Sequence, residues 1–347
     1  MARKSPSPRV RLWPPAVVLA VVYALAIGAD FVAPYDYFAQ NRSLPFAPPA
    51  RLHFVDPAGN WHLIPFIHPL VERPGSYGEY VEDRSRIYPL RFFLEVPSGQ
   101  RGFQRWNRRL FGVDEPARLC LLGTDGYGRD QLSRLLYGAR ISLFAGLLAG
   151  GLAVALGLAL GAVAGYYGGW IDELLMRGAE LCMTLPWLYL LLAVRAFLPL
   201  HITPVEAFLL LIAIIGLIGW ARPARLIRGV VLSAKERDFV RAARGFGGGD
   251  LYLLRRHVLP QTFAVALTQI ALLVPQYTLA EVTLSFLGLG VAEPVPSWGN
   301  MLATLQQYHV MVSYWWMFFP AVALIGVILS YHHLATVVQK RLGVVTL

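Results

Sequence analysis

Two carboxylates, Glu180 and Glu281, stand inside long apolar runs, and a charged stretch from Lys235 to Pro260, KERDFVRAARGFGGGDLYLLRRHVLP, separates two such runs. An ionisable group within hydrocarbon is costly, so each carboxylate has two readings: it lines a pathway or gate for a polar solute, or it is buried and hydrogen-bonded. Arg177 lies three residues from Glu180 on the same helical face, which favours pairing there. Arg195, near the outer end of the same run, suits snorkelling to the interface. The charged stretch divides by pattern. A short helix from about Lys235 to Phe246 meets a three-glycine break at Gly247 to Gly249, and a second helix, capped by Asp250, ends before Pro260. Exposed between two spans, it is either a lever for a partner protein or a solvated loop held to anionic lipid by its arginines.

Covalent chemistry has little support. None of the three lysines, Lys4, Lys235 and Lys340, follows a glycine, so no GxxxxGK[ST] phosphate loop can be written and any ATP is hydrolysed by another chain. HExxH, GxSxG and paired CxxC are also missing. His53, His62 and His68 lack matched metal-ligand spacing, and adjacent His332 and His333 face different sides of a helix. No metal or other cofactor is expected. Cys120 falls in a loop and Cys182 in a span, which predicts no disulfide.

The elements that position these residues are membrane spans. The 347 residues are 56% hydrophobic with positive mean hydropathy, and the excess is concentrated in blocks. The first, Pro15 to Ala33, covers roughly 28 Å at 1.5 Å per residue. Five more follow at about 141–165, 174–197, 205–222, 262–285 and 314–336. The expectation is therefore an all-α polytopic membrane protein with six transmembrane helices and both termini in the cytoplasm. Arg3, Lys4, Arg9 and Arg11 precede the first block, and nine Lys or Arg lie between Arg222 and Arg256, whereas Phe286 to Ser313 has none. By the positive-inside bias the first two segments are cytoplasmic and the last is outside. The formal net charge of +10 reads as membrane topology and contact with lipid, with no role in binding nucleic acid. Gly146, Gly150, Gly157, Gly161 and Gly165 line one face of the second span, where another backbone can approach closely.

Three divisions follow: 1–34, the cytoplasmic N-terminus and first span; 35–118, an outer insert; and 119–347, the core, with a cytoplasmic loop at 235–260. The insert reads as a small β-rich module, with a hairpin turning at Asp56 to Asn60 and a further strand from Tyr88 to Val96. Asp125-Gly126 reads as a turn, Asp130 to Arg140 as an interfacial amphipathic helix, Leu284 to Gly290 as a glycine-broken exit from the fifth span, and Trp298 as an interfacial tryptophan.

The segment AARGFGGGDLYLLRRHVLP (Ala242 to Pro260) resembles the cytoplasmic signature of ABC importer permeases, which is a Glu-Ala-Ala start, a glycine four residues on and a distal Leu-Pro. Ala242, Ala243, Gly247, Leu259 and Pro260 match, and Arg241 stands where the family has Glu. Glu281 to Leu302, EVTLSFLGLGVAEPVPSWGNML, and Leu122 to Leu143, LGTDGYGRDQLSRLLYGARISL, are similar to the C-type permease subunit of the oligopeptide/dipeptide/nickel importer family, as is Gly161 to Arg177. The resemblance implies a bacterial inner-membrane permease without enzyme activity of its own, forming a path for peptides or related solutes such as nickel chelates. It implies as partners two ATP-binding subunits, a homologous second permease and an extracytoplasmic solute-binding protein. It also implies that Arg241, Ala242, Ala243, Gly247, Asp250, Leu259 and Pro260 belong to a coupling helix seated on the ATPase. The alternative from a different class is a membrane-anchored enzyme or sensor acting through the insert.

Overall fold

The computed structural model describes residues 13–73, 75–76, 78–95, 108–184, 186, 189, 192–193 and 203–342. Helices predominate. In chain order they are α1 (Trp13–Ile27), α2 (Ala29–Val32), α3 (Gln131–Tyr167), α4 (Gly169–Thr184), α5 (Pro204–Gly219), α6 (Ala221–Lys235), α7 (Asp238–Gly245), α8 (Asp250–Leu253), α9 (Leu259–Phe286), α10 (Trp298–Ala303), α11 (Tyr308–Ser313) and α12 (Phe319–Leu342). Between α2 and α3 lie the strands β1 (His53–Val55), β2 (Trp61–Ile67), β3 (Leu70–Glu72), β4 (Tyr80–Glu82), β5 (Tyr88–Pro89), β6 (Arg91–Glu95) and β7 (Arg108–Gly112). The chain forms two compact units, each discontinuous in sequence: Met1–Ala20 with Ala145–Glu281 and Gly326–Leu347, and Val21–Phe144 with Val282–Ile325.

Among the described residues, three helical stretches are long and apolar enough to cross a membrane, Gln131–Tyr167, Asp250–Phe286 and Trp315–Lys340. The α5–α6 pair, bent by 42°, makes a fourth if taken as one span. The sequence reading expects six. The first expected span is a 15-residue helix that ends at Ile27, and at 1.5 Å per residue it reaches only about 22 Å. The chain breaks at Gly28 because Asp30 beyond it is drawn inward, accepting from the Tyr137 hydroxyl (3.0 Å) and pairing with Arg140 (3.3 Å). The expected span 174–197 is helical to Thr184; Arg195 lies outside the described residues.

In the first unit, the glycine face of α3 is explained by close helix contacts. A Cβ added at Gly146 would strike Thr278 of α9, one at Gly150 would press on Val274, and Gly157, Gly161 and Gly165 lie against Pro223, Ala224 and Val231 of α6. Such approach is where dispersion and interhelical contact hold spans together without a hydrophobic driving force. Helix α6 falls in the stretch read as an arginine-rich loop. Its apolar residues Pro223, Ala224, Ile227, Val231 and Ala234 recur at helical spacing and are buried.

The second unit holds the strands. β1, β2 and β5 form an antiparallel sheet, while β3–β4 and β6–β7 are separate antiparallel pairs. The expected hairpin turn is present at Asp56 to Asn60, where the Asp56 carboxylate accepts from the N–H groups of Ala58 and Asn60 (2.9 and 2.8 Å). The expected strand from Tyr88 divides at Leu90, so its two halves serve different sheets. Ile67, Ala117 and Leu119 form the buried core beneath them.

Candidate functional site

The Lys235–Pro260 stretch is anchored to the spans along one apolar side. Helix α7 is strongly amphipathic: Val240 is buried, and Arg241, Ala242 and Arg244 face outward. Val240, Leu253 and Val258 pack with Ala162 and Tyr166 of α3 and with Ile227, Val231 and Ala234 of α6, joined by half-buried Ala243 and Leu259. Burying each of those aliphatic side chains contributes about 1.5–3 kcal/mol, enough to fix so short an element. Polar ties complete the seat. The Tyr166 hydroxyl donates to Asp250 (2.8 Å) and accepts from Arg244 (3.2 Å). The Lys235 ammonium donates to the Gly165 carbonyl (2.8 Å), satisfying an orphan acceptor at the end of α3.

Between α7 and α8 the backbone makes a Schellman turn. The Gly248 N–H donates to Ala243 O and the Gly247 N–H to Arg244 O (both 3.0 Å), with Gly247 at φ +87°. Gly247 needs its left-handed backbone but has open space for a side chain, whereas a Cβ at Gly248 would sit 2.8 Å from the Ala243 carbonyl. At the apex Phe246 is 93% exposed, with exposed Leu251 and Tyr252 beyond it.

Several expected details change. Asp250 is not the cap: Gly249 holds that position, and Asp250, the first helical residue, turns its carboxylate to Tyr166. Pro260 does not end the helix, which continues to Phe286. A π turn at Leu254–Val258 widens the register just upstream, where a proline lacking its N–H would otherwise leave a carbonyl unpaired. Arg241 pairs with Glu236 (2.6 Å), and that hydrogen bond holds the Glu236 carboxyl below its usual range. Arg177 pairs with Glu173 (2.7 Å) one turn before it, leaving Glu180 exposed on α4, since Glu four residues ahead of Arg is the favoured spacing. Glu281 is fully buried near the end of α9.

The other two singled-out stretches meet in the second unit. Arg129 donates to Asp125 (2.7 Å) and to Glu293 (2.6 Å), and Arg134 donates to the second Glu293 oxygen (2.8 Å). The arginine side chains are 6% and 2% exposed. Burial opposes the Glu293 charge, but Arg134 and Arg129 outweigh it and hold the carboxyl below its usual range. Burial pushes Asp130 the other way, up to about 6, against hydrogen bonds from Ser133. The expected interfacial helix Asp130 to Arg140 is instead the buried first turns of α3, possible because carboxylates meet Arg134 there. Trp298 is likewise 1% exposed, its indole N–H donating to Leu135 O (3.0 Å) against Gly138. The expected glycine exit is a second Schellman turn, with Gly288 at φ +76° and Leu289 N–H donating to Leu284 O (2.8 Å).

Tyr166, Phe246, Arg129, Arg134 and Glu293 are the residues the sequence reading passes over. Tyr166, Arg134 and Glu293 find partners 78 to 164 residues away, which no local spacing signals; Arg129 also meets Asp125 at i,i+4, the one local signal available, and Phe246 stands exposed. The three insert histidines contact separate groups, Glu82, Asp56 and the Arg86 carbonyl. Among the described residues no set of three or more His, Cys, Asp or Glu is placed to hold a metal ion.

Residues 157–344 match the family described as binding-protein-dependent transport system inner membrane component. The dipeptide transport system permease protein DppC of Bacillus subtilis is 35% identical over 200 residues, 57% of this chain and 60% of that protein. The oligopeptide transport system permease protein OppC of Escherichia coli K12 is 41% identical over 199 residues, 57% of this chain and 64% of its own length. A putative peptide permease of Brucella suis biovar 1 is 37% identical over 209 residues, 60% of this chain and 67% of its own length. The matched stretch thus spans less than two thirds of the first two relatives.

Proposed function

For this chain, which belongs to the family of binding-protein-dependent transport system inner membrane components, we propose the role of permease subunit in an ABC importer of peptides. On this reading it crosses the inner membrane six times with both termini in the cytoplasm. It pairs with a homologous second permease, receives solute from an extracytoplasmic binding protein, and is driven by two separate ATP-binding subunits. Nickel chelates are the runner-up cargo; the relatives' own names, dipeptide, oligopeptide and peptide permease, favour peptides. The reading as an enzyme or sensor has no observation in its favour.

The observation that carries the proposal is the α7–α8 lever. Its inner side is fixed to α3 and α6, while its outer side presents Phe246, Leu251 and Tyr252 around a rigid glycine turn. Exposed aromatics at the apex of a held element make a docking knob, and rigid-body motion of a seated partner would pass through it into the spans. Mechanism is then differential binding: nucleotide-driven closure of the ATPases favours one arrangement of the spans over the other. Of the coupling residues, Ala242, Arg241 and Pro260 face outward for contact, and Ala243, Gly247, Asp250 and Leu259 hold the lever's shape. Glu281, buried in α9, is the stronger candidate for the gate; Glu180 takes the weaker part.

The test is ATP-dependent uptake of radiolabelled di- and tripeptides, with Ni²⁺ as the parallel arm, into cells lacking this chain and carrying it back on a plasmid. Restored peptide uptake supports the proposal. Restored Ni²⁺ uptake alone overturns the substrate, and restoration by a chain expressed without any ATPase partner overturns the mechanism.

A further inference from the structure

In the first unit a cavity of about 140 Å³ opens beside the bend between α5 and α6, walled by those two helices, by the end of α4 and by α9. An engineered cavity of roughly 150 Å³ takes up benzene, so this one has room for a single small group and not for a whole peptide. Three polar groups reach it, Arg222 of α6 and Gln276 and Tyr277 of α9, with Cys182 and Met183 on the α4 wall. Arg222, which the sequence reading places in a cytoplasmic segment, stands 13 residues before Lys235 on α6, roughly 20 Å at 1.5 Å per residue. Its neighbour Pro223 lies against Gly157, within the apolar stretch of α3. An ionisable group at that depth is costly and points to function by default. Of the three arginines on α6, Arg228 pairs with Asp172 and Arg225 reaches the Met183 sulfur (3.9 Å). Arg222 has neither an ion pair nor a hydrogen bond among the described residues, and no carboxylate among them lines the cavity. The Gln276 amide also makes no hydrogen bond among the described residues. The Tyr277 hydroxyl donates to the Gly219 carbonyl (3.3 Å), which leaves its oxygen able to accept, and a Cβ at Gly219 would strike that oxygen.

We propose that this cavity holds the carboxylate end of a solute passing through the spans. Arg222 is the counter-charge, the Gln276 amide a donor beside it, and the Tyr277 oxygen an acceptor for the adjacent amide N–H of the solute. The planar fork of a guanidinium matches a carboxylate with two parallel hydrogen bonds, and a lone cation between apolar walls attracts an anion more strongly than one in water. Selection at this point depends on charge at one end of the solute: a peptide acid is held and its C-terminal amide is not. The affinity for a carboxylate stands on the cavity's own groups. Only the statement that the solute is cargo rests on the transport reading above.

Cys182 on the cavity wall serves as the reporter, since the other cysteine, Cys120, is buried. The experiment is the rate of Cys182 labelling in the purified full chain in detergent, read by mass spectrometry. One methanethiosulfonate reagent carries a sulfonate and the other a trimethylammonium group, each rate being taken relative to free 2-mercaptoethanol. A relative rate about tenfold or more higher for the sulfonate reagent is expected, because a cation in a low-dielectric cleft concentrates anions. That preference should vanish in Arg222→Gln and return in Arg222→Lys. Trialanine at ten times its dissociation constant should slow sulfonate labelling about tenfold by mass action, while its C-terminal amide should not. Thermal unfolding of each variant is followed alongside; if Arg222→Gln does not fold, the reagent pair and the acid and amide comparison on the wild-type chain carry the test. Equal relative rates for the two reagents, equal protection by acid and amide, no protection, or protection by short-chain phosphatidylglycerol alone overturns the proposal. Because labelling needs neither ATPase nor binding protein, protection by trialanine without peptide uptake would sink the transport reading and leave the site standing. Uptake without protection would do the reverse.

Discussion

The two family-like regions of this chain are held in opposite ways. The lever at Lys235 to Pro260 keeps its apolar residues Val240, Leu253 and Val258 inside and turns nearly every charge, together with Phe246, to the outside. The cluster around Asp125, Arg129, Arg134 and Glu293 turns both guanidinium groups and Asp125 inward, with half-exposed Glu293 closing over them, so that each guanidinium meets a carboxylate. Both are entered or left by a Schellman turn on a single left-handed glycine, Gly247 in one and Gly288 in the other. Burial separates them: the guanidinium charges of one are satisfied inside the chain, whereas the apex aromatic of the other, Phe246, is left outside it.

The comparison breaks first at the cluster. Arg134→Ala strips the buried partner from Asp125 and Glu293 and is expected to cost about 3–5 kcal/mol, seen as a large drop in thermal unfolding temperature followed by tryptophan fluorescence. An unfolding temperature near wild type would move the cluster into the same class as the lever. Charge inside the cluster also predicts a pH signature. Folded Asp130 keeps its proton up to about 6, while the unfolded chain releases it near the ordinary value of 3.8. Protonation therefore favours the folded state: the contribution is fully present below the unfolded value and is lost as pH rises through about 6. Glu293 has the opposite sign, its contribution being present at neutral pH and lost as acid protonates it. Asn cannot ionise, so wild type and Asp130→Asn should differ least near pH 4, and wild type should fall progressively below the variant in unfolding temperature as pH rises to about 7. A flat difference would mean that Asp130 does not hold its proton.

At the lever, stability effects are smaller and ranked by geometry. Gly248→Ala brings a Cβ against the Ala243 carbonyl and must distort the turn, while Gly247→Ala meets open space and bears only the left-handed strain of about 1–2 kcal/mol. Peptide uptake should fall further in the first variant than in the second, at equal membrane levels by immunoblot. The reverse order would place the hinge at Gly247.

What was legible in the sequence follows the range of the interactions. The hairpin turn at Asp56 to Asn60 and the exit at Gly288 are set by residues within one turn of each other, and both appear as expected. The glycine face of α3 announced close packing, but only the fold names α6 and α9 as what it meets. Helix α6 was hidden because four basic residues mask an apolar face of period 3.6. Trp298 reads as an interfacial residue because an indole near a membrane edge usually is; the Leu135 carbonyl, remote in sequence, reverses that, as Glu293 draws in Arg134. Pro260 reads locally as a stop, yet the helix runs on through it behind a π turn at Leu254–Val258. In the Lys235 to Pro260 segment the pattern gives the first short helix and the glycine break but not the length of the second helix, which runs on to Phe286, and Phe246 and Tyr166, at its apex and its anchor, belong to no motif.

The smallest effect on the chain itself is the most telling. Phe246 is almost fully exposed, so Phe246→Ala should leave the unfolding temperature unchanged. The decisive measurement is co-purification of the ATP-binding subunits with this variant in mild detergent, beside wild type. Loss of bound ATPase by tenfold or more is expected, as for a central aromatic contact worth about 2 kcal/mol. Wild-type recovery of ATPase by Phe246→Ala, with wild-type uptake, would contradict the account of Lys235 to Pro260 as the docking lever.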